Sequence, residues 1–172
     1  MPSAIVSVCM PVEIERKFLV TGDAWRRDAS RIERMAQGYL AGPPASNCSV
    51  RVRIAGDVAH LNIKSLSPGI ERDEYEYEIP LADAERLLAT LAGKRVEKVR
   101  HYVEIGEHVF EVDEFTGDNA GLVVAEIELD DANEAFPRPA WLGREVSHIA
   151  RYYNLHLATH PYSRWSADER GG

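Results

Sequence analysis

Charged and apolar residues alternate along eight short stretches of this chain, and that alternation limits the folds it can adopt. The first stretch, residues 12–20, reads VEIERKFLV. In a β-strand successive side chains point to opposite faces, so Glu13, Glu15 and Lys17 would share one face, about 7 Å apart. The apolar residues would share the other face, with Arg16 as the exception. The pattern predicts a strand that is charged on one side and apolar on the other.

Turns that contain glycine or proline separate these stretches. The predicted strands span residues 12–20, 35–41, 48–55, 57–65, 71–79, 95–105, 107–115 and 122–130. Three helices are predicted: a short one at 22–29, and two at 82–92 and roughly 144–158, where apolar residues recur at helical spacing. Eight short strands with few helices are typical of a closed antiparallel barrel or a sandwich. We therefore expect a mainly β protein of the α+β class.

Length and charge restrict the kind of protein further. The chain has 172 residues and suits one domain. Its net charge of -8 and pI near 5.3 argue against a general nucleic-acid binder. The longest apolar-leaning stretch, residues 4–12, is too short to span a bilayer and has no basic segment before it. We expect a cytoplasmic protein with no nucleic-acid or membrane partner.

The ends of the chain differ from its centre. Residues 1–11 carry no charge and no periodic pattern, and Met10 lies just before the first strand. We interpret 1–11 as a flexible leader, 12–160 as a single domain and 161–172 as a C-terminal tail. Met10 is an alternative start of translation.

Several strands carry charges of one sign only. Residues 111–113 and 126–128 are acidic on their polar face, whereas 51–53 and 98–100 are basic. An antiparallel sheet with one solvated face would produce alternation, and so would a barrel with a polar interior and covering helices. Sign segregation favours the barrel, because solvated faces usually intersperse charges. Spacing alone leaves both arrangements open.

A polar interior would need ligands for its charges. Clustered carboxylates become favourable when a hard divalent cation such as Mg²⁺ or Mn²⁺ joins them. Clustered arginines and lysines need a polyanion, and the arginine fork matches phosphate geometry. Together these groups indicate a site for a metal-bound polyphosphate.

An ordered series of motifs carries a family resemblance. ExExK at residues 13–17 is followed by QGYL (37–40), SVRVRI (49–54), LNIKS (61–65), YEYEIPL (75–81), EKVRHYV (97–103), FEVDEF (110–115), GLVVAEIEL (121–129), WLGREV (141–146) and RYYN (151–154). From residue 12 onward, the chain resembles the CYTH superfamily, also called triphosphate tunnel metalloenzymes, and especially its short bacterial single-domain members. The resemblance implies an eight-stranded antiparallel barrel that forms a tunnel, a triphosphate substrate and a requirement for Mg²⁺ or Mn²⁺.

The resemblance also implies roles for individual residues. Those that match metal-binding carboxylates are Glu13, Glu15, Glu126 and Glu128, with Asp113 as an additional acidic position. Those that match phosphate-binding residues are Arg51, Arg53, Lys64, Arg100 and, near the C-terminus, Arg151. Lys17 and Tyr39 match a pair that helps to activate water. Lys98, Arg72, Glu74 and Glu76 face the same way without an assigned role.

The short bacterial members are mostly associated with inorganic triphosphate hydrolysis, so the resemblance predicts a tripolyphosphatase. The alternatives are a thiamine or nucleoside triphosphatase, a class IV-type adenylate cyclase, and a non-enzymatic polyphosphate-binding module. A cyclase would need a nucleoside pocket, for which the sequence shows no distinct motif. We expect a monomer or a homodimer.

Overall fold

The computed structural model describes residues 12–66 and 70–171, so the predicted leader lies outside the described residues. The strands are β1 (Val12–Val20), β2 (Ala29–Ala41), β3 (Cys48–Ala55), β4 (Val58–Ser65), β5 (Glu71–Ile79), β6 (Arg95–Ile105), β7 (His108–Phe115), β8 (Val123–Leu129) and β9 (Leu142–Glu145). The α-helices are α1 (Leu81–Thr90), α2 (Asn154–Thr159) and α3 (Ala167–Gly171). Single 3₁₀ turns span Ala24–Arg27, Gly117–Asn119, Ala150–Tyr152 and Tyr162–Arg164.

Eight of these strands form a closed antiparallel barrel, as predicted. Their order is β5-β4-β3-β2-β6-β7-β8-β1, and β1 also pairs with β5 to close the ring. The closing contact joins Val12 to Asp73 and Ile14 to Glu71. Further along the same edge, β1 pairs with the short strand β9 through Phe18 and Glu145. The first strand therefore connects both ends of the sheet and part of the C-terminal segment.

The apolar faces of the strands point outward and are covered in part, since Ile32 on β2 and Tyr77 on β5 stay more than half exposed. Helix α1 packs Ala84 and Leu88 against Val52 on β3 and Ala59 on β4. Gly38 on β2 permits this close approach, because a Cβ at that position would lie 2.8 Å from the Cβ of Ala92 and 3.0 Å from Leu88. The charged faces are thereby left inside the barrel.

A second apolar cluster extends into the barrel itself. Val96, Phe115 and Val124 each lie two residues from a charged residue of the inner face, and they pack with Tyr152 and other buried residues of the C-terminal segment. Loops also cover part of the outside, where Trp25 and Trp141 pack against Phe18 and Phe110. Among the described helices, none has the length and apolar character that a bilayer crossing requires.

The structure corrects two predictions about local structure. The helix predicted at 144–158 is wrong: β9, a 3₁₀ turn and α2 occupy this region. The first residues of this region bind the edge of β1 instead, since the Val146 N–H donates to the Lys17 carbonyl at 2.8 Å. The helix predicted at 22–29 is reduced to the turn Ala24–Arg27, because β2 begins at Ala29, six residues earlier than predicted, and pairs there with β6.

Candidate active site

A cavity of about 740 Å³ occupies the inside of the barrel. Ten of the twelve predicted site residues line it, namely Glu13, Glu15, Lys17, Tyr39, Arg51, Arg53, Lys64, Arg100, Glu126 and Glu128. Strand alternation explains this convergence, because residues two apart on each barrel strand face the same interior. The structure therefore brings acidic and basic faces from separate strands into one space.

The antiparallel register of β1 and β8 places the acidic residues side by side. Glu15 pairs with Glu128, and Lys17 pairs with Glu126. Glu126 is 5% exposed and accepts hydrogen bonds from Lys17 Nζ and, at 2.8 Å, from Arg100. Burial alone would raise the pKa of Glu126, but the nearby cations, Lys17 foremost, outweigh burial and hold that pKa well below its usual value. Glu126 is therefore ionised at neutral pH.

Glu128 lies in a different environment. Burial raises its pKa, and the surrounding carboxylates, Glu13 and Glu111 foremost, raise it further. Within the described residues Glu128 has no ion pair. An unpaired carboxylate such as Glu128 provides the kind of oxygen ligand that a hard divalent cation prefers. In the described part of the chain, however, no three acidic, histidine or cysteine side chains are already arranged around a metal position.

The remaining carboxylates pair with the basic residues of the cavity. Lys64 Nζ lies 2.6 Å from Glu13 and 3.1 Å from Glu74. Burial raises the pKa of Glu13, and the neighbouring Lys64 ammonium offsets only part of that increase. The cavity thus contains charges of both signs that are largely neutralised by one another.

Arg100 donates hydrogen bonds to three carboxylates of the inner face. Its Nε and one terminal nitrogen each donate to Asp113 at 2.7 Å, and it also donates to Glu111 and Glu126. Asp113 is fully buried and also accepts a hydrogen bond from Lys98. Asp113 lies behind the cavity wall and anchors two cations. Its predicted contact with a metal stays a prediction.

Lys17 and Tyr39 both line the cavity. Burial would lower the pKa of Lys17, but Glu126 and Glu15 outweigh it, so the pKa is raised and the ammonium persists. Burial raises the pKa of Tyr39, while Arg51 opposes that shift more than Lys17 does. At neutral pH the pair therefore consists of an ammonium and a neutral phenol, both of which can donate hydrogen bonds.

Arg151 lies apart from the other predicted residues. Its guanidinium lies 5.1 Å from the ring centre of Tyr152 and 5.5 Å from that of Trp165, and it does not line the cavity. Its phosphate contact stays a prediction.

The C-terminal segment also contributes to the cavity, which its sequence pattern did not predict. Residues 147–156 supply Ser147, His148, Ala150, Tyr153, Asn154, Leu155 and His156 to the cavity wall. Arg72 lies 4.3 Å from the ring centre of Tyr153, which also lies 5.3 Å from Lys17 Nζ. The motif RYYN contains Tyr153, but a predicted helix gave no reason to place this side chain over the cavity.

Comparison with known proteins agrees with this geometry. The CYTH domain model matches residues 11–159. An inorganic triphosphatase of Acetivibrio thermocellus is 45% identical over 157 residues, which cover 91% of this chain and 99% of that protein. An inorganic triphosphatase of Nitrosomonas europaea is 36% identical, covering 85% of this chain and 96% of that protein. A crystal structure of an inorganic triphosphatase superimposes with a TM-score of 0.62 at 35% identity, covering 85% of this chain and 93% of that one.

Proposed function

The chain belongs to the CYTH family, and we propose that it is an inorganic triphosphatase that hydrolyses tripolyphosphate with a divalent cation. The observation that carries the proposal is the 45% identity, over 91% of the chain, to an inorganic triphosphatase. The charged cavity supports it independently. Its charged interior matches a small polyanion, and the net charge of -8 argues against a nucleic-acid substrate.

The basic residues would bind the triphosphate from several sides. Arg51 and Arg53 on β3 and Lys64 on β4 line one part of the wall, and Arg100 on β6 lines another. Cations placed where negative charge develops stabilise the transition state of phosphoryl transfer. Since these groups are now paired with carboxylates, substrate binding exchanges protein anions for phosphate oxygens.

Glu13, Glu15, Glu126 and Glu128 would hold Mg²⁺ or Mn²⁺. Their chemistry fits such an ion, because all four supply carboxylate oxygens to the same cavity. A bound cation would neutralise phosphate charge and polarise the bond to the leaving oxygen. Lys17 and Lys64, whose ammonium groups now contact these carboxylates, would then be available to the phosphates.

Tyr39 would orient the attacking water. Its phenol is neutral at neutral pH, so it acts as a hydrogen-bonding group rather than as the base. The water attacks a terminal phosphorus and passes one proton to a phosphate oxygen of the substrate, while the phosphoanhydride bond breaks. The products are orthophosphate and diphosphate, and the diphosphate retains the electrons of the broken bond. Lys17 keeps its proton and stabilises the negative charge of the phosphates.

One substrate panel tests the proposal. Tripolyphosphate, thiamine triphosphate, ATP and pyrophosphate are each incubated with Mg²⁺, Mn²⁺ or a chelator, and released phosphate and cyclic AMP are measured. We expect metal-dependent phosphate release that is fastest from tripolyphosphate. Faster turnover of thiamine triphosphate or ATP, formation of cyclic AMP, or tight binding without turnover would each replace the proposal with the corresponding alternative.

A cytoplasmic location and a monomeric or homodimeric state are also proposed. Gel filtration with light scattering would determine the oligomeric state, and cell fractionation the location.

A further inference from the structure

Asn62 on β4 ties two carboxylates of the cavity together. It is 1% exposed and lies between Arg51 on β3 and Glu76 on β5 in the strand register. Its Nδ2 donates to Glu74 Oε1 at 2.8 Å and also to Glu76 Oε2. A single neutral amide therefore restrains two anions that lie two residues apart on the next strand.

The same two carboxylates face the arginines of β3. Glu76 Oε2 accepts from Arg53 at 2.8 Å, whereas Glu74 stays 3.8 Å from the nearest Arg51 nitrogen, too far for a good hydrogen bond. The Nε atoms of Arg51 and Arg53 are buried and, within the described residues, lack hydrogen-bond partners. Each arginine thus retains a donor that its neighbouring carboxylate does not use.

We propose that Asn62 is a positioning residue, which keeps Glu74 and Glu76 from closing fully onto Arg51 and Arg53 and so preserves the arginine donors for phosphate. This role rests on the proposed function. Its physical basis is competition, since carboxylate and phosphate bind the guanidinium fork through the same two-pronged geometry. An amide that occupies carboxylate lone pairs weakens the carboxylate as a competitor.

A purely structural role for Asn62 makes a different prediction. If the side chain only filled space inside the barrel, its removal would lower stability and, through the smaller fraction of folded protein, the apparent kcat, but it would leave KM unchanged. If it restrains competing anions, its removal weakens substrate binding in the folded protein. Neutralising one competitor should then restore binding, which a packing defect would not allow.

The test compares Asn62→Ala, Asn62→Leu, Glu76→Gln and the double variant Asn62→Ala/Glu76→Gln. Asn133→Ala, at an exposed asparagine outside the cavity, is the matched control. For each folded variant, kcat and KM for tripolyphosphate are measured, with its dissociation constant from calorimetry without metal. Asn62→Leu retains the approximate size of the side chain, lacks the donor and adds no charge, so it replaces Asn62→Ala if that variant does not fold.

We expect Asn62→Ala to raise KM and the dissociation constant by about tenfold or more, the range for a lost hydrogen bond to a charged group, with kcat changed much less. Glu76→Gln in the Asn62→Ala background should recover most of that loss. Unchanged binding in Asn62→Ala, an equal loss confined to kcat, or no recovery in the double variant would overturn the role of Asn62. Wild-type protein that neither binds nor hydrolyses tripolyphosphate would instead overturn the proposed function.

Discussion

Replacing Asp113 by asparagine should severely destabilise this barrel. The carboxylate is fully buried and receives two hydrogen bonds of 2.7 Å from Arg100 and one from Lys98. Both cations are themselves less than 7% exposed. Arg100 would still have Glu111 and Glu126, but Lys98 would lose its direct carboxylate partner. The substitution therefore leaves a buried ammonium without its counter-ion.

The size of the effect follows from burial. Breaking a buried ion pair by removing one partner costs about 3–5 kcal/mol. For a protein of this length each kcal/mol shifts Tm by about 2–4 °C, so we expect Tm to fall by roughly 6–20 °C. Glu114→Gln is a matched control, because Arg26 also donates two hydrogen bonds to Glu114, at 2.9 and 2.7 Å, while both side chains are more than 30% exposed. An exposed pair contributes only about 0–1 kcal/mol.

Urea unfolding followed by circular dichroism gives the free energy of unfolding of each variant. Lys98→Met combined with Asp113→Asn should recover part of the loss, because the double change removes the uncompensated charge. A loss below about 1 kcal/mol in Asp113→Asn, equal to that of the exposed control, would refute the argument from buried charge.

Four further outcomes are expected. Glu15→Gln should weaken Mn²⁺ binding in calorimetry and strongly reduce phosphate release with native circular dichroism, and near-normal activity would remove Glu15 from the proposed metal ligands. Arg53→Ala should lower kcat/KM by a factor of about 10²–10³. Arg53→Lys should recover only part of that loss, because a point charge lacks the two-pronged contact, and full activity of the lysine variant would show that charge alone suffices. Tyr39→Phe should lower kcat at least about tenfold with little change in tripolyphosphate affinity, whereas an unchanged kcat would make Tyr39 structural. Burial lowers the pKa of His101 although Glu114 lies nearby. Below about pH 6.5 the unfolded chain therefore binds the proton more readily than the folded one, and the free energy of unfolding should decrease as the pH falls. His101→Gln should flatten this pH dependence in urea unfolding, and an identical slope in the variant would contradict the argument.

Much of the barrel could be predicted because its information is local. Alternation along residues 12–20 assigned Glu13, Glu15 and Lys17 to one face without knowledge of their partners. Apolar spacing within α1 likewise identified a helix that packs on the barrel. Alternation could not show whether the charged face lies against water or inside a closed barrel, since both arrangements produce the same period. That choice depended on the pairing of β1 with β5.

The errors arose where distant contacts override local pattern. Residues 144–158 have helical spacing, but the free edge of β1 offers hydrogen-bonding groups that bind Glu145 and Val146 instead. Asn62 gave no signal because a lone asparagine on a strand is unremarkable until its two carboxylate neighbours are known. The distances between oppositely charged groups could not be predicted from the sequence either, because they depend on the register of the barrel strands.

Closure of the barrel by its first strand also sets the order in which this protein can fold during synthesis. Lys17 and Glu126, which meet across β1 and β8, are 109 residues apart in the chain. At the usual rate of translation, roughly 5–20 s pass between the synthesis of the two residues. During that interval the edge of β1 that will pair with β8 remains unpaired. The last strand of the ring, rather than the first, therefore determines when the barrel can close, and a ribosome that stalls before β8 leaves an open sheet exposed to aggregation.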